Sequence, residues 1–246
     1  MDVQAIKNKL FSADSELKRR IITGGALAVA TFAFIILGGF PFYALIILAA
    51  VYMHQEWQAL TVTNGNFWKI AGIFYVVLPC SSLIVLRQMA FEGTVIDAAS
   101  LEYMTRPYLT PLLALFPIIT VAATDIGAYI AGKLIGGPKL APSISPGKTW
   151  AGLIGGMLSA SVAGVILFPF TPFPHSFMSG LGVGALLALL AQMGDLFESW
   201  LKRQAGVKDS GTLFPGHGGI LDRVDGHAIA IPVFTLLAWM AGGIVP

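Results

Sequence analysis

The sequence predicts an all-α, polytopic integral membrane bundle of about seven transmembrane helices, and three observations lead there. Hydrophobic residues make up 56 % of the chain and charged residues 11 %, against about 25 % charged in a soluble domain. Several apolar runs approach the roughly 20 residues needed to cross a bilayer as a helix. The 15 bases are divided unequally between alternate connections, 13 falling on one predicted side, as the positive-inside rule requires of cytoplasmic loops.

Taken in order, residues 1–20 set Val3, Ile6, Leu10 and Leu17 on one helical face. Lys7, Lys9, Lys18, Arg19 and Arg20 stand ready for lipid headgroups, which predicts an interfacial amphipathic helix. Spans are expected at about 21–39, 41–57, 67–86, 109–132, 150–170, 177–198 and 227–245. The chain is thus a single membrane domain over 1–246, with the interfacial helix at 1–20, N-terminal helices at 21–108, and catalytic helices with their cytoplasmic loops at 109–246. With a cytoplasmic N-terminus, only Arg87 and Arg106 face outward, and the polar stretches 133–149 and 199–226 face the cytoplasm, where nucleotides are found.

Gly38, Gly39 and Phe40 make so short a connection that the first two spans form a helical hairpin. Glycine pairs four apart, Gly132 with Gly136, Gly152 with Gly156 and Gly180 with Gly184, let membrane helices approach closely. The single cysteine, Cys80, excludes an internal disulfide. A net charge of +2 and a pI near 8.7 reflect cytoplasmic loops, and no nucleic-acid partner is expected. His54 and Glu56 beside Trp57 have a composition usual at a membrane interface, and no site role is expected there or at His175.

Chemistry concentrates late in the chain. Between Asp195 and Asp225 lie five acids (Asp195, Glu198, Asp209, Asp222, Asp225) and four bases (Lys202, Arg203, Lys208, Arg223), interrupted by glycines and flanked by apolar runs. Asp195, Glu198, Ser199 and Lys202 follow i, i+3, i+4, i+7 and line one helical stripe, which must face protein or a wet cavity. Asp222 and Asp225, three apart, share a face if the last helix begins by Leu221. Asp125, late in the fourth span, is costly at membrane depth and therefore a candidate site residue.

The Gly147-Lys148-Thr149 triplet resembles the end of a phosphate loop, but Pro142 stands where that motif requires glycine and no strand is expected before it. What remains is a group of Ser143, Ser145, Lys148 and Thr149 opening the fifth span, whose free amides can hold an anion. Carboxylates without metal-spaced His or Cys suit a hard cation, Mg2+ before others. Lys202, Arg203, Lys208 and Arg223 supply charge for a polyphosphate. Together these predict a phosphoryl- or nucleotidyl-transfer centre.

The stretch SWLKRQAGVKDSGTLFPGHGGILDRVD, Ser199 to Asp225, resembles the signature of the phosphatidate cytidylyltransferases, or CDP-diacylglycerol synthases: a Ser, then KR, KD, Gly, Pro, HGG, and DR followed by D. The upstream segments DIGAY, KLIGGPKLAPSISPGKTWAG and QMGDLFES extend the similarity over roughly 120–230. The resemblance implies that CTP and phosphatidate give CDP-diacylglycerol and pyrophosphate with Mg2+, in a bacterial inner membrane, with the active site cytoplasmic. It implies Asp195 and Asp222 as principal metal carboxylates with Asp225 close by. It also implies phosphate contacts from Lys202, Arg203, Lys208 and His217, and a substrate cavity bordered by Asp125, Ser143, Lys148 and Thr149. Asp195, Lys202, Asp222 and Asp225 form the expected catalytic set, with Ser199 and Arg223 completing the substrate contacts. Monomer and homodimer both stay open. Another CTP-dependent lipid enzyme of the polyprenol kinase type is the nearer alternative. A secondary transporter is the more distant one, since no repeat is evident and the charges gather at one membrane face.

Overall fold

A computed structural model describes residues 24–26, 28–62, 65–91, 110–171, 173, 176–213, 218–241 and 243–244. Each of the seven expected spans overlaps a helix. The first apolar run is broken where Gly38 and Gly39 adopt positive φ of 66° and 60°, a conformation glycine takes at little cost. The run therefore divides into α1 (Gly24–Leu37) and α2 (Gly39–Leu60). Arg87, in the last turn of α3 (Asn66–Gln88), donates through Nε to the Ile35 carbonyl at 2.7 Å and so caps the end of α1.

Three helices form the centre: α4 (Thr110–Leu134), α5 (Trp150–Leu167) and α6 (Phe177–Gln204). Their packing follows from glycine. A Cβ on Gly152 would meet the Ala128 carbonyl at 3.0 Å and the Gly132 Cα at 3.7 Å, one on Gly156 would meet the Thr124 carbonyl at 3.0 Å, and one on Gly184 would meet the Ser161 Cα at 2.8 Å. Positions rising along one helix face positions falling along the next, so α4, α5 and α6 are antiparallel neighbours with backbones nearly touching. Of the expected small-residue pairs, 152/156 and 180/184 serve this packing. Gly132 does too, whereas its partner Gly136 turns the chain after α4 at φ 67°.

The stretch after α4 departs from the all-helical expectation. Residues 139–149 form a short antiparallel hairpin, β2 (Lys139–Ala141) with β3 (Ser145–Thr149), Lys139 facing Thr149. A second small pairing joins β1 (Ala90–Phe91) to β4 (Gly243–Ile244). Thr149 then caps α5, its Oγ1 accepting the Gly152 amide at 3.0 Å, the bond that a threonine N-cap is chosen for. After α6 the chain makes a loop, the single turn α7 (Leu221–Val224) and α8 (His227–Met240), which packs against α3, α4 and α6.

By length and composition α3, Pro111–Leu134, Trp150–Phe170 and Phe177–Gln204 can each cross a membrane. The helices α1 and α8 are shorter, and α2 carries His54, Gln55 and Glu56 in its last two turns, so among the described residues four of the seven expected spans are helices long and apolar enough to cross a membrane. The interfacial helix expected over 1–20 lies outside the described residues. Two apolar clusters hold the bundle. One, from Ile35 and Phe42 through Phe116 to Phe234, fills the centre. The other joins Met53 and Trp57 of α2 to Val76, Leu201 and Leu221, with Trp57, Tyr75 and Phe197 in ring contact. This second cluster fixes α2 beside α6 and α7, and thereby positions the site.

Candidate active site

The helical stripe predicted on α6 forms as expected and divides into two charged groups. Earlier along α6, Asp195 accepts from the Ser199 hydroxyl at 3.2 Å and pairs with Lys148 of β3 at 2.6 Å. Asp125 of α4 lies close enough to sense the charges of Asp195, Lys148 and Arg223. Asp225, between α7 and α8, senses Asp195 and Asp125 and accepts the Gly226 amide at 2.7 Å. Burial, together with the negative charge of Asp195, pushes the Asp225 carboxyl up to about 7. Gly194 makes this convergence possible, because any Cβ there would strike the Asp225 carbonyl.

One turn on, Lys202 is buried between two acids. Its ammonium lies 2.6 Å from Asp222 Oδ1 and 3.2 Å from Glu198 Oε1. The other Asp222 oxygen, Oδ2, accepts the Ser210 amide at 2.8 Å, the Ser210 hydroxyl at 2.9 Å and the Gly219 amide at 2.9 Å. Burial works to raise the Asp222 carboxyl, but the bonds from Lys202, Gly219 and Ser210 outweigh it and hold it below the usual carboxylate range. Gly218 completes the turn at φ 78°.

These contacts bear on the expected metal set. A carboxylate offers about four lone-pair directions, two on each oxygen; protein donors fill Asp222 Oδ2, whereas Oδ1 receives Lys202 alone and keeps a direction free. Among the described residues no three His, Cys, Asp or Glu side chains gather as a metal site; Asp195 and Asp222, the principal carboxylates of the expected set, stand in the two neighbouring charged groups, with Asp225 beside Asp195. Thr149 is buried as a helix cap, and Ser143 is exposed in the hairpin turn. Arg203 donates to the Ile144 and Val207 carbonyls at 3.3 and 3.2 Å, which fastens the hairpin to α6. Lys208 and Arg223 are exposed, and His217 lies outside the described residues.

The residue missed in the sequence is Glu56. It is buried, and its two oxygens accept the Ile220 amide at 3.0 Å, the Leu221 amide at 2.8 Å and the Ser210 hydroxyl at 3.0 Å. The signal was present: an acid in an apolar helix is as costly as Asp125, and the same rule applies to both.

A family model described as Cytidylyltransferase family matches residues 64–241. The chain belongs to that family. Among curated cytidylyltransferases, the phosphatidate cytidylyltransferase of Brucella suis biovar 1 is 36 % identical over 259 aligned positions, covering 90 % of this chain and 93 % of the relative. That of Rickettsia bellii is 37 % identical over 230 positions, with 91 % of each chain covered. That of Haemophilus influenzae is 36 % identical over 200 positions, covering 74 % of this chain and 68 % of the relative. The cytidylyltransferase match takes in both charged groups on α6 but begins eight residues after Glu56.

Proposed function

We propose that this membrane protein transfers CMP from CTP to phosphatidate, giving CDP-diacylglycerol and pyrophosphate. The observation that carries this reading is the convergence of Asp125, Lys148, Asp195 and Asp225 beside the Lys202–Asp222 pair, in a chain that matches phosphatidate cytidylyltransferases over 90 % of its length. A phosphate oxygen of the lipid attacks the α-phosphorus of CTP in line. The bond from that phosphorus to the bridging oxygen breaks, and pyrophosphate leaves with the bonding electrons. The attacking oxygen is already an anion near neutral pH, since a phosphomonoester's second pKa is about 6, so no strong general base is required.

Asp195 and Asp225 fit a divalent cation. Each carries lone pairs beyond its protein contacts, and their mutual repulsion is relieved by a positive charge. Mg2+ is commonly held by one or two carboxylates, with water and substrate phosphates filling the remaining positions, so a two-carboxylate site with Asp125 as neighbour suffices. When bound there it neutralises charge on the triphosphate. Lys148 and Arg223 lie at the same end of the bundle to meet phosphate oxygens, and Lys202 fixes Asp222 and the loop. Incubating purified protein with phosphatidate, Mg2+ and each nucleoside triphosphate in turn is expected to yield a liponucleotide and pyrophosphate with CTP. Transfer of the terminal phosphate to a polyprenol instead would favour the kinase alternative.

The positive-inside distribution supports a cytoplasmic N-terminus and site in a bacterial inner membrane. Thr212 is exposed in the loop after α6. A cysteine placed there, with Cys80 replaced by serine, is expected to react with an impermeant maleimide in inverted vesicles and not in intact cells. Labelling of intact cells would reverse the topology.

A further inference from the structure

We propose that Glu56 is a positioning residue for the reaction centre, tying Ser210 to the Ile220 and Leu221 backbone in the arrangement that keeps Asp222 on Lys202. The proposal rests on the function inferred above. Its basis is geometric. Glu56 belongs to α2, more than 150 positions from its partners, yet its carboxylate accepts from both ends of the loop: the Ser210 hydroxyl at one end, and the Ile220 and Leu221 amides at the other.

The same Ser210 oxygen lies 3.0 Å from Glu56 and 2.9 Å from Asp222. One hydroxyl proton therefore sits between two carboxylates, and a shift of either displaces the other. The loop is shaped around this side chain. A Cβ on Gly211 would come within 2.5 Å of Glu56 Oε1, and one on Gly219 would overlap the carboxylate itself. From Glu56 the chain of contacts runs through Ser210, Asp222 and Lys202 to Glu198, and so ties α2 to the stripe on α6 that carries Asp195. Trp57, the next residue, is 2 % exposed and packed on Tyr75 and Phe197, so α2 is a rigid base for the carboxylate.

Glutamine at position 56 keeps the shape, but either orientation of its amide turns N–H groups toward the Ile220 or the Leu221 amide, a donor facing a donor. Supporting residues of this kind cost about 10- to 100-fold when removed. In the full-length detergent-solubilised protein, Glu56→Gln is expected to lower kcat by about that factor, with KM for phosphatidate within about twofold of wild type. Hydrogen exchange should quicken in peptides covering 205–224 while those of α4 and α5 stay unchanged. Ser210→Ala, which leaves α2 untouched, should give a smaller loss of kcat, and the double variant should lose less than the two single losses combined, because the two side chains share the Ser210 hydroxyl contact. Wild-type kcat with unchanged loop exchange in Glu56→Gln, or exchange that quickens throughout the bundle, would overturn the proposal. If wild-type protein makes no liponucleotide, the functional reading fails, and the exchange arm still decides whether Glu56 holds the loop.

Discussion

Asp222→Asn is expected to cost both turnover and stability, and it is the loss of stability that defines the role of Asp222. The side chain receives Lys202 on one oxygen and three donors from Ser210 and Gly219 on the other. An asparagine must turn its NH2 either toward an ammonium or toward those three donors, and both orientations leave donors facing donors. Lys202 would then remain buried with Glu198 alone. Breaking a buried ion pair by removing one partner costs about 3–5 kcal/mol, and the loop carrying the signature loses its anchor. Activity should fall by at least about 100-fold, in the range seen when a preorganised electrostatic group is removed. The thermal midpoint in detergent should fall with it.

The sign of the pH dependence follows from the depressed carboxyl. Stability from Asp222 is fully present above the unfolded carboxylate pKa of about 4 and is lost only as pH falls through the lower folded value. The gap between wild type and variant should thus be full at neutral pH and narrow in acid. A variant that loses turnover while melting like wild type would assign Asp222 to the chemistry, as in the metal set expected from the sequence, and not to anchoring the loop.

How far the sequence could be read follows from the cost of charge in an apolar chain. The α6 stripe was legible because nothing but a site explains Asp195, Glu198, Ser199 and Lys202 on one face of a span. The helix positions were legible from apolar length, though α8 and α1 are shorter than the runs suggested, since Gly38 and the β1–β4 pairing end them early. The hairpin at 139–149 was not legible. Its strands are three and five residues long, carry two prolines nearby and show no alternation. Thr149 fits a phosphate loop or a helix cap equally well until its Oγ1 is seen on the Gly152 amide. Glu56 was passed over because its neighbours look interfacial, and its partners lie too far along the chain for any local pattern to reveal. Asp222 shows the remaining limit: spacing shows that two acids share a face, but not which protein donors each of them receives.

Asp195→Asn provides the opposite case, a large loss of activity with little loss of stability. Asp195 is more open than Glu198 or Asp222, its side chain 30 % exposed and its partner Lys148 16 %, so the ion pair between them is screened and is worth about 1 kcal/mol or less. Against that loss, removing its charge relieves repulsion with Asp125 and Asp225, and in the absence of divalent ion the melting temperature should hardly move. Activity should fall by about 100-fold or more, and the Mg2+ concentration for half-maximal rate should rise, because one of two carboxylates proposed to hold the cation is gone. The pH dependence of that concentration tests the second. A proton and a cation compete for Asp225, whose carboxyl titrates near 7 without metal, and metal binding requires the ionised form. As pH falls from about 8 to about 6, the wild-type enzyme should therefore need more Mg2+. Superimposable Mg2+ activation curves at the two pH values would remove Asp225 from the cation site, and an unchanged Mg2+ requirement in Asp195→Asn would remove Asp195. Both results together would leave Lys148 of β3 to meet phosphates beside the α6 stripe, with neither Asp195 nor Asp225 holding a metal.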